Sequence, residues 1–144
     1  MKRFLTCFLI LLACSCTKTI KTNIPPSRVY LRIDLRYEDK DLVGTLNHKE
    51  FTAPRKAGEY VGYSGVLVVC GFDNVYYAYD LCCPHEASKT NRIVPDNTGK
   101  AKCPKCGTVY DIGYGTGAPV EGVSEYALQR YNVTSLGQEL LIQN

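Results

Sequence analysis

The chain has 144 residues and a mass of 16.0 kDa, room for a single domain and too little for a large catalytic one. Apolar residues make up 45% and charged residues 22%, which excludes a disordered chain and a multi-span membrane protein. Two counts stand out, 8 Cys and 11 Tyr with no Trp; the thiols point to a metal site, disulfides or processing.

Residues 1–16 read MKRFLTCFLILLACSC. Lys2 and Arg3 form a positive start, and Phe4 to Ala13 an apolar run too short to span a bilayer as an ordinary helix. Leu11-Leu12-Ala13-Cys14 resembles the bacterial lipoprotein signal, in which the Cys is acylated and becomes the first residue of the mature chain. Residues 1–13 then read as signal peptide and Cys14 as the lipid carrier, with Cys16 as the alternative. The resemblance implies a protein of the bacterial cell envelope, held at a membrane by its lipid; each buried CH₂ adds about 0.8 kcal/mol to such an anchor. Loss of Lys2 and Arg3 takes the 17 basic residues to 15, against 14 acidic, a net charge of +1. The basic residues are scattered, so the sequence argues against nucleic-acid binding.

Residues 17–27 are polar and contain Pro25-Pro26, so 14–27 read as a tether between lipid and domain. The domain occupies 28–144. Val29, Leu31, Ile33 and Leu35 alternate with Tyr30, Arg32 and Asp34, the pattern of a half-buried strand. His48, beside Lys49 and Glu50, reads as a solvated loop residue. Val66–Cys70 and Val75–Tyr79 flank Gly71-Phe72-Asp73-Asn74 and read as a hairpin, with Cys70 beside Val75 and Val66 beside Tyr79. Continuing that register puts Cys82 opposite Tyr63. Seven strand residues, about 23 Å, then separate Cys70 from Cys82, beyond the ~7 Å Cα limit of a disulfide; Cys70 reads as a small buried apolar residue.

Cys82-Cys83-Pro84-His85-Glu86 is followed, seventeen residues after His85, by Cys103-Pro104-Lys105-Cys106-Gly107-Thr108-Val109-Tyr110-Asp111. Two short loops each offer two borderline or soft ligands, and Pro84 and Pro104 stiffen them. Thiolates and an imidazole suit Zn²⁺ or an iron–sulfur cluster and do not suit Ca²⁺ or Mg²⁺. Cys103-x-x-Cys106 as a thiol redox pair lacks the βαβ setting of thioredoxin-like folds. Downstream, Ala127–Val133 and Glu139–Ile142 flank Leu136-Gly137 as a second hairpin. No stretch carries a 3.6-residue apolar period, and the class is all-β.

The two loops resemble the Rieske iron–sulfur family, whose pattern is Cys-x-His, a spacer near seventeen residues, then Cys-x-x-His-Gly-Ser with an aromatic residue and Asp following. Cys83-Pro84-His85 matches the first half and Cys103–Asp111 the second, with Cys106 where the family has its second His. Tyr77-Ala78-Tyr79-Asp80, Gly115-Thr116-Gly117-Ala118-Pro119-Val120 and Ala127-Leu128-Gln129-Arg130-Tyr131 look like the family's flanking segments. The resemblance implies a sandwich of small antiparallel sheets with a cluster-binding subdomain near 80–123. It further implies a [2Fe–2S] centre on Cys83, Cys103, His85 and Cys106, with Cys83 and Cys103 on one iron. Thr108, where the family often has Ser, and Tyr110 would tune the cluster. A thiolate in place of an imidazole adds negative charge and lowers the expected potential.

Such a protein passes single electrons to a partner the sequence does not identify, without substrate chemistry of its own. Two other readings fit the same four residues: a closed structural Zn²⁺ site, and a metal-free fold held by disulfides. The absence of an Arg-Arg pair near the start points to the general secretory route. A centre would then be assembled outside the cytoplasm, where oxidation competes for free thiols.

Overall fold

A computed structural model describes residues 21–144. The expected signal peptide and both lipid-carrier candidates, Cys14 and Cys16, lie outside the described residues. Eleven strands follow in chain order: β1 (Val29–Asp34), β2 (His48–Phe51), β3 (Tyr60–Val61), β4 (Val66–Cys70), β5 (Tyr76–Asp80), β6 (Val94–Pro95), β7 (Lys100–Lys102), β8 (Val109–Asp111), β9 (Pro119–Glu121), β10 (Arg130–Leu136) and β11 (Glu139–Gln143). A short 3-10 turn over Lys40–Leu42 is the remaining helical element among the described residues. None of it is long and apolar enough to cross a membrane. The protein is all-β, as expected.

Seven strands form one antiparallel sheet in the order β2-β4-β5-β10-β11-β1-β3, and four form a second in the order β6-β7-β8-β9. The strands of the smaller sheet fall between Val94 and Glu121. β4 explains how the two are joined. Its sequence VLVVC is buried along its whole length, because its two faces serve different cores. Val66 and Val68 pack with Leu31, Ile33, Leu140 and Ile142 inside the larger sheet. Leu67 and Val69 pack with Tyr79, Leu81, Ile93, Tyr110 and Ile112 between the larger sheet and the smaller. A strand covered on both faces reads as a continuous apolar run. β1, covered on one face, keeps the alternation seen in sequence.

Three readings need correction. The first hairpin pairs Cys70 with Tyr76 and Val66 with Asp80, one residue off the expected register. The turn is longer than the sequence suggests. Asn74 takes a left-handed backbone (φ 60°), and the Gly71 N–H closes on the Val75 carbonyl at 2.8 Å, leaving Val75 in the turn. Cys82 lies past the end of this pairing and faces Arg92 in an isolated bridge rather than Tyr63. His48 lies in β2 opposite Val69, not in a loop. The second hairpin is as expected in kind, with β10 starting later, at Arg130, and running to Leu136 opposite Glu139.

Residues 21–27, expected to end a tether, lie against the domain. The Lys21 carbonyl accepts from the Ala127 N–H at 3.2 Å, Ile24 is buried, and the Asn144 side chain donates to the Ser27 carbonyl at 2.7 Å.

Candidate metal centre

Two loops of the same local shape meet at one end of the smaller sheet. In the first, the Ala87 N–H returns to the Cys83 carbonyl at 2.9 Å; in the second, the Gly107 N–H returns to the Cys103 carbonyl at 3.0 Å. The closing residue is left-handed in both, at φ 47° for Ala87 and 74° for Gly107. Glycine adopts this conformation without strain, whereas alanine carries a Cβ penalty there. Proline follows the first Cys of each loop, so Cys-Pro opens both turns with a fixed φ. The loops are tied across the gap by an ion pair of 2.7 Å between Lys105 Nζ and Glu86 Oε2.

The sulfurs of Cys83, Cys103 and Cys106 lie within 4.8 Å of one another. Cys83 Sγ and Cys106 Sγ, from different loops, are 3.6 Å apart. Cys83 and Cys103 are fully buried and Cys106 is half-buried. His85, the fourth residue expected here, sits on the same turn as Cys83 but is exposed, and its ring lies outside the group of three sulfurs. Cys82 also stays out of the group. It is buried, and its thiol donates toward the Ser88 carbonyl at 3.4 Å. Burial, with the nearby Asp80 charge, pushes that thiol up to about 12.

Hydrogen bonds surround two of the sulfurs. The Tyr110 hydroxyl, on β8, is 3.4 Å from Cys83 Sγ. Thr108 Oγ1 is 3.3 Å from Cys106 Sγ and accepts from the Val123 and Ser124 N–H groups, each at 3.2 Å. Those two bonds use both lone pairs of the hydroxyl, so its own proton is left for sulfur. Burial pushes the Cys83 thiol up to about 11, against bonds from the Tyr110 hydroxyl and the Glu86 backbone that pull it down. At Cys106 burial also opposes ionisation, but bonds from Thr108 and from the other two thiols outweigh it and hold the thiol below its ordinary value. The environment therefore favours a thiolate at Cys106 first, and thiolates are the form that binds metal.

The loop carrying Val123 and Ser124 reaches Thr108 because residue 122 is glycine. A Cβ there would lie 2.6 Å from Thr108 Cα, and the residue sits at φ 107°. Asp111 holds the preceding loop, accepting from the Tyr114 N–H and from both the N–H and hydroxyl of Thr116.

Asp80 supports the first loop, a role that reading the sequence missed. Its carboxylate is fully buried. It accepts from the N–H groups of Tyr63 (2.7 Å), Ser64 (3.2 Å) and Cys82 (2.8 Å) and from the Tyr131 hydroxyl (2.6 Å). Its signal in the sequence is an acidic residue ending an otherwise apolar and aromatic strand.

The donor set fits a borderline or soft metal. Sulfurs about 2.3 Å from a tetrahedral ion stand about 3.8 Å apart, close to the 3.6 Å between Cys83 and Cys106.

No model of a known protein family matches the sequence. A comparison with curated proteins also gives no match. Solved structures do match. A quaternary ammonium Rieske monooxygenase, CntA, superposes with a TM-score of 0.54 at 15% identity; the match covers 81% of this chain and 31% of that one. The ferredoxin of carbazole 1,9a-dioxygenase from Nocardioides aromaticivorans IC177 gives 0.47 at 20% identity, covering 81% and 95%. A small subunit described as that of an NADH-dependent nitrite reductase from Mycobacterium tuberculosis gives 0.48 at 8% identity, covering 81% and 96%. The fold is of the Rieske type.

Proposed function

We propose that this protein is a Rieske-type iron–sulfur electron carrier of the bacterial cell envelope, anchored to a membrane by lipid on Cys14. The observation that carries the reading is the convergence of three sulfurs, from two matching loops, within 4.8 Å of one another in a fold of that type. Cys83, Cys103 and Cys106 would hold the centre, with His85 as the fourth ligand from the first loop. When bound, a [2Fe–2S] centre supplies reversible transfer of one electron. The chain's own part is to bury Cys83 and Cys103, to keep water from them with Leu81, Ile93 and Tyr110, and to direct the Tyr110 and Thr108 hydroxyls at sulfur. Hydrogen bonds to sulfur and burial are two of the levers that set a cluster's potential. Three thiolates with one imidazole carry more negative charge than the two-and-two set, so the potential lies below the usual Rieske range.

One observation favours a second reading. The three sulfurs form a single compact group, the arrangement a lone tetrahedral Zn²⁺ takes, and the same four residues would close that site. Iron, zinc and acid-labile sulfide analysis of protein purified from its native envelope separates the two. Iron and sulfide in equal amounts support the carrier; one zinc without sulfide rejects it.

A further inference from the structure

We propose that Cys83 and Cys106 form a reversible disulfide across the two loops, and that this bond closes the site to metal. The proposal deepens the metal-centre reading above and rests on it for its consequence.

The two sulfurs are 3.6 Å apart, and a disulfide needs about 2.05 Å, so the loops have about 1.5 Å to close. They are already drawn together. Glu86, three residues after Cys83, pairs at 2.7 Å with Lys105, which precedes Cys106. Each loop is a single closed turn, so this approach is built into both partners. Access is asymmetric as well. Cys106 is half-buried, whereas Cys83 and Cys103 are fully buried. An external oxidant meets Cys106 first, and the sulfur across the loop gap is that of Cys83. Cys82 faces away, its thiol directed at the Cys83 and Ser88 carbonyls.

The oxidant is a disulfide, either a small molecule or a protein. The Cys106 sulfur attacks it, forming a mixed disulfide and releasing one oxidant thiol. Cys83 sulfur then attacks Cys106 sulfur, forming the Cys83–Cys106 bond and releasing the second oxidant thiol. Two thiol protons pass to the departing sulfurs, and the two electrons lost by the cysteines reduce the oxidant. The bond consumes two of the three sulfur ligands and leaves Cys103 alone, too few for a metal centre. Reduction restores all three.

The test uses the full chain, stripped of metal by a chelator and fully reduced, then treated with oxidised glutathione. Free thiols are alkylated and the protein is cleaved with trypsin without reduction. Cleavage after Lys105 separates Cys103 from Cys106, and fragmentation of the peptide ending at Lys89 distinguishes Cys70, Cys82 and Cys83. The expected product is a Cys83–Cys106 linked peptide, absent in Cys106→Ser and retained in Cys103→Ser. Zinc added to the oxidised chain is not taken up, and uptake returns on reduction. A Cys103–Cys106 link, or three alkylated thiols, overturns the proposal; so does stoichiometric zinc uptake with the Cys83–Cys106 bond intact. The mapped bond is read without metal, so a reduced chain that binds neither zinc nor iron rejects the proposed function and, with it, the bond's role as a gate.

Discussion

The Tyr131 hydroxyl donates to Asp80 Oδ2 at 2.6 Å, joining β10 to the residue from which the first sulfur loop departs. Asp80 also fixes the Cys82 N–H, one residue before Cys83. The site is thus held from behind by a buried carboxylate whose partners are all neutral donors. Asp80→Asn replaces one accepting oxygen with an amide that meets donors instead. Urea denaturation is expected to show a loss of about 3 kcal/mol, from buried N–H and O–H groups left unpaired. Metal affinity should fall with it, since the first loop loses its support.

Thr108→Val removes the acceptor for the Val123 and Ser124 N–H groups and the donor to Cys106 sulfur. The expected loss of stability is about 2 kcal/mol. In protein carrying an iron–sulfur centre the reduction potential should fall, because a hydrogen bond to sulfur favours the reduced form. Thr108→Ser keeps the hydroxyl and should restore both. Denaturation and redox titration of the three proteins check this.

These supports show which parts of the molecule a linear reading reaches. The strand at Val29–Asp34 was legible because one face is covered, and β4 because both are; burial dictates each pattern. The two cysteine loops were legible because Cys-Pro and their spacing are local. The hairpin register was not, since it depends on the left-handed Asn74 that places Val75 in the turn. β2 escaped notice because HKEF has one buried residue in four and no alternation. The roles of Asp80, Glu86 and Lys105 depend chiefly on partners 16 to 51 residues away, as in the Asp80–Ser64 and Asp80–Tyr131 bonds. The exposure of His85 follows from where its turn projects, which its neighbours in sequence do not specify.

Alkaline pH should destabilise the fold. Burial, with the Asp80 charge added, raises the Tyr131 phenol well above its ordinary value of 10.0, and burial does the same at Tyr79. Burial lifts the Cys82 thiol from 9.0 to about 12. The unfolded chain releases these protons near pH 9–10 while the folded chain keeps them. Stability from these groups is therefore full below pH 9 and is lost as pH rises through 9–12. Each group contributes a slope of up to about 1.4 kcal/mol per pH unit. Urea midpoints between pH 7 and 11, under reducing conditions, should fall above pH 9, and Tyr131→Phe should flatten the decline.

The proposed lipid anchor can be tested separately. Cys14→Ser should abolish lipid attachment and release the protein from membranes. Fractionation and intact mass of the mutant report both. Retention of the mutant with lipid on Cys16 would move the anchor by two residues.

Electron paramagnetic resonance of the dithionite-reduced native protein tests most directly what the paired loops hold. An iron–sulfur carrier predicts a low-temperature signal from a single unpaired electron shared by each pair of irons, bleaching of visible colour on reduction, and loss of both in Cys83→Ser. A colourless, silent protein that contains one zinc would contradict it.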